Sequence, residues 1–142
     1  MDDAFLAEMS QARIRIETAA ITLIFERFDA KVWQHVSSEM ARIEIGAIAD
    51  AERQNRVRML LPETKSITKL KEAIFKRAEQ LEAIGFKAAD AVHIAAAEGS
   101  HADVFLSCDD RLCRLAKRRR GELRVPVANP ALWLKERKDA DA

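Results

Sequence analysis

The sequence is poor in the residues that mark several special classes of protein. It has only four glycines, three prolines and two cysteines in 142 residues, and it shows no repeat, low-complexity segment or linker. No apolar run is long enough to cross a membrane. Acidic residues near the amino terminus, in place of a basic region, give no sign of a signal peptide, so the cytoplasm is the expected compartment.

The two cysteines and the net charge narrow the possibilities further. Cys108 and Cys113 have no second cysteine pair or histidine cluster around them, so we expect a reduced pair instead of a zinc site or a disulfide. The net charge of +1 does not indicate nucleic acid. The basic run Lys117–Arg120 could bind phosphates, but it could equally complement the negative end of a helix, and the second interpretation is favoured.

The remaining composition, 49% hydrophobic and 33% charged, is typical of one globular domain spanning residues 1–142. Periodicity and end signals predict alternating helices and strands. The predicted helices are Ser10–Asp29, Ser38–Ile48, Asp50–Leu60, Lys69–Ile84, Lys87–Ala97, one from Asp110 and a short last one from Pro130. The predicted strands are Trp33–Val36, Thr64–Ile67, one at Val104 and one at Val125. This alternation favours an α/β fold with a parallel sheet, in which sites lie at the carboxyl ends of strands.

Two acids stand out against this framework. Asp90 lies in a helix that is apolar on nearly every side and should be buried, where an aspartate needs compensation. Its alternative role is a satisfied structural acid, with His93 as the partner or support one turn later. Asp109 follows the apolar run Asp103–Ser107 at a strand's carboxyl end. An aspartate there could also be a simple helix N-cap, and Asp110 could do either job.

Glu44 is a third candidate, because its helical neighbours three and four residues away, Met40, Ala41, Ala47 and Ile48, are all apolar. This carboxylate should therefore sit on the inward face of its helix, unless it reaches past its neighbours to water. Glu39, with Arg42 three residues on, is expected to be an exposed ion-pair partner instead.

Phe86–Val92 with His93, then Asp103–Leu112, then Val125–Pro130 together resemble the carboxyl half of PIN domains, which are small metal-dependent nucleases. The resemblance implies a three-layer α/β fold with a small parallel sheet of about four strands, flanked by helices. It also implies an endoribonuclease that hydrolyses RNA with Mg²⁺ or Mn²⁺ held by Glu44, Asp90 and Asp109, with Ser107 near the substrate. Many such domains are toxins, so a protein antitoxin and a homodimer are further expectations.

PIN domains open with an apolar strand ending in aspartate, and the segment Met1–Phe5 does not match it. A frayed terminus positions a ligand poorly, so Asp2 or Asp3 is not expected to replace that acid. We therefore expect either an in-frame strand encoded upstream of Met1 or a degenerate, inactive interaction module. A third interpretation is a small α/β domain whose acids are only caps and ion pairs.

Overall fold

The structure, a computed structural model, describes the backbone of residues 3–141 and the side chains of residues 3–137. Asp2 therefore lies outside the described residues, and Asp3 begins the first helix. The helices of the described range are α1 Asp3–Asp29, α2 Glu39–Gly46, α3 Ala51–Arg58, α4 Glu72–Ala83, α5 Ala88–Gly99, α6 Asp110–Arg118 and α7 Pro130–Asp141. All seven were predicted, although α1 begins seven residues earlier than expected.

The strands are β1 Ser37–Ser38, β2 Ile67–Thr68, β3 Phe105–Leu106 and β4 Val127–Ala128. They form two separate parallel pairs, β1 with β2 and β3 with β4, so the expected single four-stranded sheet is not confirmed. The α/β class and the parallel direction of the strands are confirmed.

The predicted run Asp103–Ser107 contains β3. The other three strands differ in position from the predicted ones, because pairing, and not local apolarity, decides where a short strand lies. Trp33–Val36 was predicted as a strand, but the paired residues are the next two, Ser37 and Ser38. Most of Thr64–Ile67 is a 3-10 turn. The last strand begins two residues after Val125, where Val127 pairs with Phe105.

Local signals set the ends of several helices. The Ser38 hydroxyl accepts a hydrogen bond from the Met40 amide at 3.2 Å and caps α2. The Asp50 carboxylate does the same for α3, accepting from the Glu52 amide at 3.0 Å. Gly85 follows α4 with a φ of 114°, a conformation that side chains rarely adopt. Capping residues and a glycine therefore fix where these helices start and stop.

Two apolar clusters hold the elements together. The larger one surrounds α5, with Leu81 of α4 and Ile94 of α5 fully buried, and it extends to Leu112 of α6. The smaller one joins α1 to α7 through Ile24 and Leu134, with Leu106 of β3 packed against it. The apolar helix predicted around Asp90 is thus the buried centre of the larger cluster.

A cavity of about 870 Å³ is lined by residues of both strand pairs. Residues 34–38 and residues 102–108 contribute to its wall, together with residues of α1, α5 and α7. Within the described part of the chain, β1 and β3 each have a strand partner on one edge only. Within the same part, no helix has the length and apolarity needed to span a membrane.

Candidate active site

Asp90 lies in the first turn of α5 and is half-buried, directly before the buried residue Ala91. Burial raises the pKa of its carboxyl, and the charges of Asp109 and Glu44 raise it further. The charges of His93 and Lys87 act in the opposite direction. Asp90 is therefore close enough to both other candidate acids to be affected by their charges, while burial is the main cause of the raised pKa.

Glu44 is placed differently from the prediction. Its side chain is 49% exposed, and the inward position on α2 belongs to its neighbour Ile45. The apolar neighbours of Glu44 did not predict its exposure, because they are not buried themselves: Ala47 is exposed, and Met40 and Ile48 are only partly buried. The Glu44 carboxylate nevertheless faces α5, because its Oε1 contacts Nε2 of His93.

His93 therefore connects the elements that carry the acids. It contacts Glu44 of α2, lies one turn after Asp90 in α5, and packs its ring 6.2 Å from that of Phe105 in β3. The supporting role predicted for His93 agrees with these contacts, although its direct partner is Glu44 and not Asp90.

Asp109 is the N-cap of α6, as the alternative interpretation predicted. Its Oδ1 accepts hydrogen bonds from the amides of Arg111 at 2.9 Å and Leu112 at 3.2 Å. The cap uses only this oxygen among the described contacts, so the exposed carboxylate keeps a second oxygen for another partner.

Ser107 supports the same junction. Its hydroxyl accepts a hydrogen bond from the Asp109 amide at 3.1 Å, and its own amide donates to the Ala128 carbonyl at 2.9 Å. The strand-end hydroxyl therefore holds the backbone of the residue that carries the third acid.

A divalent metal fits this site in chemistry but only partly in geometry. The carboxylate oxygens are the donors that Mg²⁺ and Mn²⁺ prefer, and a cation would offset the burial and the neighbouring acids that raise the pKa of Asp90. Within the described residues, however, no group of three or more acidic, histidine or cysteine side chains is gathered closely enough to hold one ion.

A second polar cluster beside Asp109 was not predicted. The Arg13 guanidinium of α1 binds both carboxylate oxygens of Asp110, and it donates to the Cys108 carbonyl at 3.2 Å. This pairing lowers the pKa of the Asp110 carboxyl. The ambiguity between the adjacent acids is resolved by these contacts: Asp110 is the ion-pair partner and Asp109 the cap.

Glu17 extends this cluster to the start of α7. Its Oε2 lies 3.4 Å from the Arg13 guanidinium and accepts a hydrogen bond of 2.6 Å from the Asn129 side chain. Asn129 also caps α7, since its Oδ1 accepts from the Ala131 amide at 2.9 Å. The four-residue spacing of Arg13 and Glu17 signalled a helical pair, but nothing local signalled their distant partners.

Glu39 and the two cysteines can also be compared with their predicted roles. Glu39 is not an exposed partner of Arg42: its carboxylate accepts a hydrogen bond of 2.8 Å from the Leu70 amide, just after β2. Cys108 and Cys113 are both free thiols, as predicted, and partial burial raises the pKa of each.

Comparison with known proteins places this arrangement in a family. The PIN domain family model matches residues 10–118, which is more than half of the chain and includes Glu44, Asp90 and Asp109. The chain therefore belongs to the PIN domain family. No curated protein and no solved structure matches it. Membership indicates a nuclease-type activity, and PIN domains generally depend on a divalent metal and typically act on RNA.

Proposed function

We propose that this protein is a metal-dependent endoribonuclease that hydrolyses RNA phosphodiester bonds, with Glu44, Asp90 and Asp109 as its acidic centre. The observation that carries the proposal is the position of His93, which contacts Glu44, follows Asp90 by one turn and packs beside β3, the strand that leads to Asp109. These contacts, and the effect of the Asp109 and Glu44 charges on Asp90, support the assignment of the three acids to one site.

Mg²⁺ or Mn²⁺ is the proposed cofactor, with the three carboxylates as its protein ligands. When bound, such an ion lowers the pKa of a coordinated water and stabilises charge on the phosphodiester. The protein's own contribution is to hold the carboxylates in place. His93 orients Glu44, the large core holds Asp90, and the Ser107 hydroxyl fixes the backbone of Asp109. Ser107 is also a proposed substrate contact.

We also propose a role as the toxin of a toxin–antitoxin pair, with a protein antitoxin and a homodimeric state. These finer proposals rest on the family alone. Co-expression with the product of an adjacent small gene should restore growth if the toxin role is correct. Growth inhibition that persists in an Asp90→Asn variant would contradict it.

Metal binding can be tested by thermal melts with and without millimolar manganese. A bound ion at 100 times its dissociation constant stabilises a fold by about 2.7 kcal/mol. The melting temperature of the parent protein should rise with manganese, whereas that of Asp90→Asn should not. An equal rise in both proteins would place the ion elsewhere.

Cleavage needs a control that separates charge from capping. Asp109→Asn removes the charge but keeps a good N-cap, so it should abolish RNA cleavage with little change in the melting curve. Asp50→Asn makes the same change at the cap of α3, whose carboxylate also accepts two amide hydrogen bonds, and should leave cleavage intact. Cleavage that survives EDTA, or that survives both Asp90→Asn and Asp109→Asn, would contradict the proposal.

A catalytically inactive interaction module is the second candidate, and two observations favour it. The described strands remain two separate pairs, and no three described donors gather closely enough for one metal. A further strand seated between β1 and β3 would pair with both free edges, and we propose that an apolar strand ending in aspartate completes the active form. Adding such a strand, as a peptide or an amino-terminal fusion, should raise stability and metal affinity together. Unchanged stability and metal affinity would favour the inactive module.

A further inference from the structure

Helix α6 has a strongly basic outer face. Arg111, Arg114 and Arg118 are spaced by three and four residues, so they project from one side of the helix, and all three are exposed. The opposite side is apolar, with Leu112 and Ala116 buried. The charge separation on α6 is therefore sharp, with one side in the core and the other carrying cations.

These cations are not used by the fold. Arg111, Arg114 and Arg118 form no ion pair or side-chain hydrogen bond within the described part of the chain, although the charge of Arg114 lowers the pKa of Asp110 through space. By contrast, Arg77 and Arg13 of other helices each bind a carboxylate directly. A set of exposed arginines without partners is available for a ligand.

The basic face of α6 starts next to Asp109. Asp109 caps the amino end of α6, and Arg111 follows it by two residues. Nine residues of helix extend about 13 Å from that cap, which is enough to span successive phosphates of an extended single strand. The basic face thus begins at the proposed acidic centre and leads away from it.

We propose that Arg111, Arg114 and Arg118 form a binding track for the phosphate backbone of a single-stranded RNA that extends from the acidic centre. The inference rests on the proposed function for the identity of its ligand, but it concerns binding and not cleavage. Arg111 and Arg114 lie before the last turn of α6, so complementing the negative carboxyl end of the helix does not explain them. Lys117 and Arg118 lie in that last turn, where they can complement the helix end as well as bind phosphate.

The test is the salt dependence of binding to a short labelled single-stranded RNA, measured by fluorescence anisotropy in EDTA so that cleavage cannot occur. Each lost phosphate contact should reduce the slope of log affinity against log salt by about 0.7. The triple variant R111Q/R114Q/R118Q should therefore lose about 2 in slope, equivalent to about a hundredfold in affinity at 0.1 M salt. Glutamine keeps helix propensity, and R114Q alone serves if the triple variant does not fold.

The matched control is R53Q/R56Q/R58Q, which removes the same charge from the exposed arginines of α3. An equal loss of affinity in the control would show that net charge, and not the α6 face, governs binding. Unchanged binding in the α6 variant would overturn the proposal, as would equally tight, α6-dependent binding of labelled polyglutamate, which would indicate an acidic protein partner. RNA binding that depends on α6 in a protein without cleavage activity would support this proposal while contradicting the proposed function.

Discussion

Helix α5 carries two acids, eight residues apart, and only one of them is compensated by hydrogen bonds in the described part of the chain. Glu98 is only 8% exposed, yet its carboxylate accepts hydrogen bonds from Arg77 at 2.7 and 3.1 Å and from the Arg124 amide at 2.8 Å. Asp90 is more exposed but accepts no hydrogen bond within the described part of the chain, and its nearest charged neighbours include two further acids. The better buried acid is therefore the better satisfied one.

This difference distinguishes a structural carboxylate from a functional one. A structural acid is compensated within the fold, because an uncompensated buried charge is strongly destabilising. A functional acid keeps its oxygens free, and its fold accepts repulsion from neighbouring acids until a ligand arrives. Four predictions test how far this comparison holds, in order of decreasing expected effect.

The largest effect is expected from Glu98→Ala. Removing this carboxylate leaves the partly buried Arg77 side chain, which is 17% exposed, without its main partner. Breaking a buried pair from one side typically destabilises by about 3–5 kcal/mol, and we expect the lower end because Arg77 is not fully buried. Urea denaturation measures the loss. The control is Glu72→Ala, which breaks an exposed pair with Lys76 on α4 and should change stability by less than about 0.5 kcal/mol. Similar losses in the two variants would show that Glu98 is not a structural acid of this kind.

The second effect concerns the junction that carries Asp109. Arg13→Gln removes the contacts to Asp110 and to the Cys108 carbonyl, so the loop before α6 loses its link to α1. Groups that hold metal ligands typically change metal affinity by about 10–100-fold when substituted, and we expect roughly the lower end for manganese. Titration of Arg13→Gln beside Asp110→Asn measures it, since both remove the same ion pair. If both variants bind manganese as tightly as the parent protein, Arg13 is not needed to hold Asp109, and the Ser107 hydroxyl and the helix cap are enough.

The third prediction is that Asp90→Asn stabilises the protein, whereas Glu98→Ala destabilises it. Burial and neighbouring acids raise the pKa of Asp90 in the folded protein, so ionised Asp90 destabilises the fold. This penalty is absent below the unfolded pKa of 3.8, grows as the pH rises from there to the folded pKa, and is constant above it. In a chelator at pH 7, Asp90→Asn should therefore be more stable than the parent protein, by less than about 1 kcal/mol because solvent screens the charge. Urea curves at pH 7 and pH 4 test whether the gain disappears in acid. A loss of stability at pH 7 would make Asp90 a structural acid.

These contrasts explain what the sequence could predict. Helix ends at Ser38, Asp50 and Asp109 were predictable because a cap involves residues two or three positions apart. The burial of α5 was predictable from its composition. In contrast, the two-residue strands depend on pairing between distant segments. The apolar run Asp103–Ser107 located β3, but the positions of the other three strands were predicted wrongly by a few residues.

The candidate site was predictable to a similar extent. The junction of β3 with α6 pointed to Asp109 through local pattern alone, and the family resemblance selected it over Asp110. The inward position of Glu44 was wrong, because helical spacing does not say how much of a short helix is covered. The contacts of Arg13 with Asp110 and of Glu17 with Asn129 join residues about a hundred positions apart, and no local pattern encodes such pairs.

The smallest expected effect is the pH dependence of stability due to His35. Its pKa is shifted by burial alone, without the neighbouring charges that also act on Asp90. His35 stacks on Phe28 with ring centroids 4.6 Å apart, and burial alone lowers the pKa of its imidazole below the ordinary value of 6.5. The unfolded chain therefore takes up a proton near pH 6.5 that the folded protein binds only at lower pH, so stability contributed by His35 is lost as the pH falls through this window. His35→Phe keeps the stacking and removes the titration. The parent protein should lose more stability than His35→Phe between pH 7.5 and pH 5.5, as measured by urea denaturation. Equal losses would mean that His35 is accessible to protons in the folded protein and that burial at this position does not shift its titration.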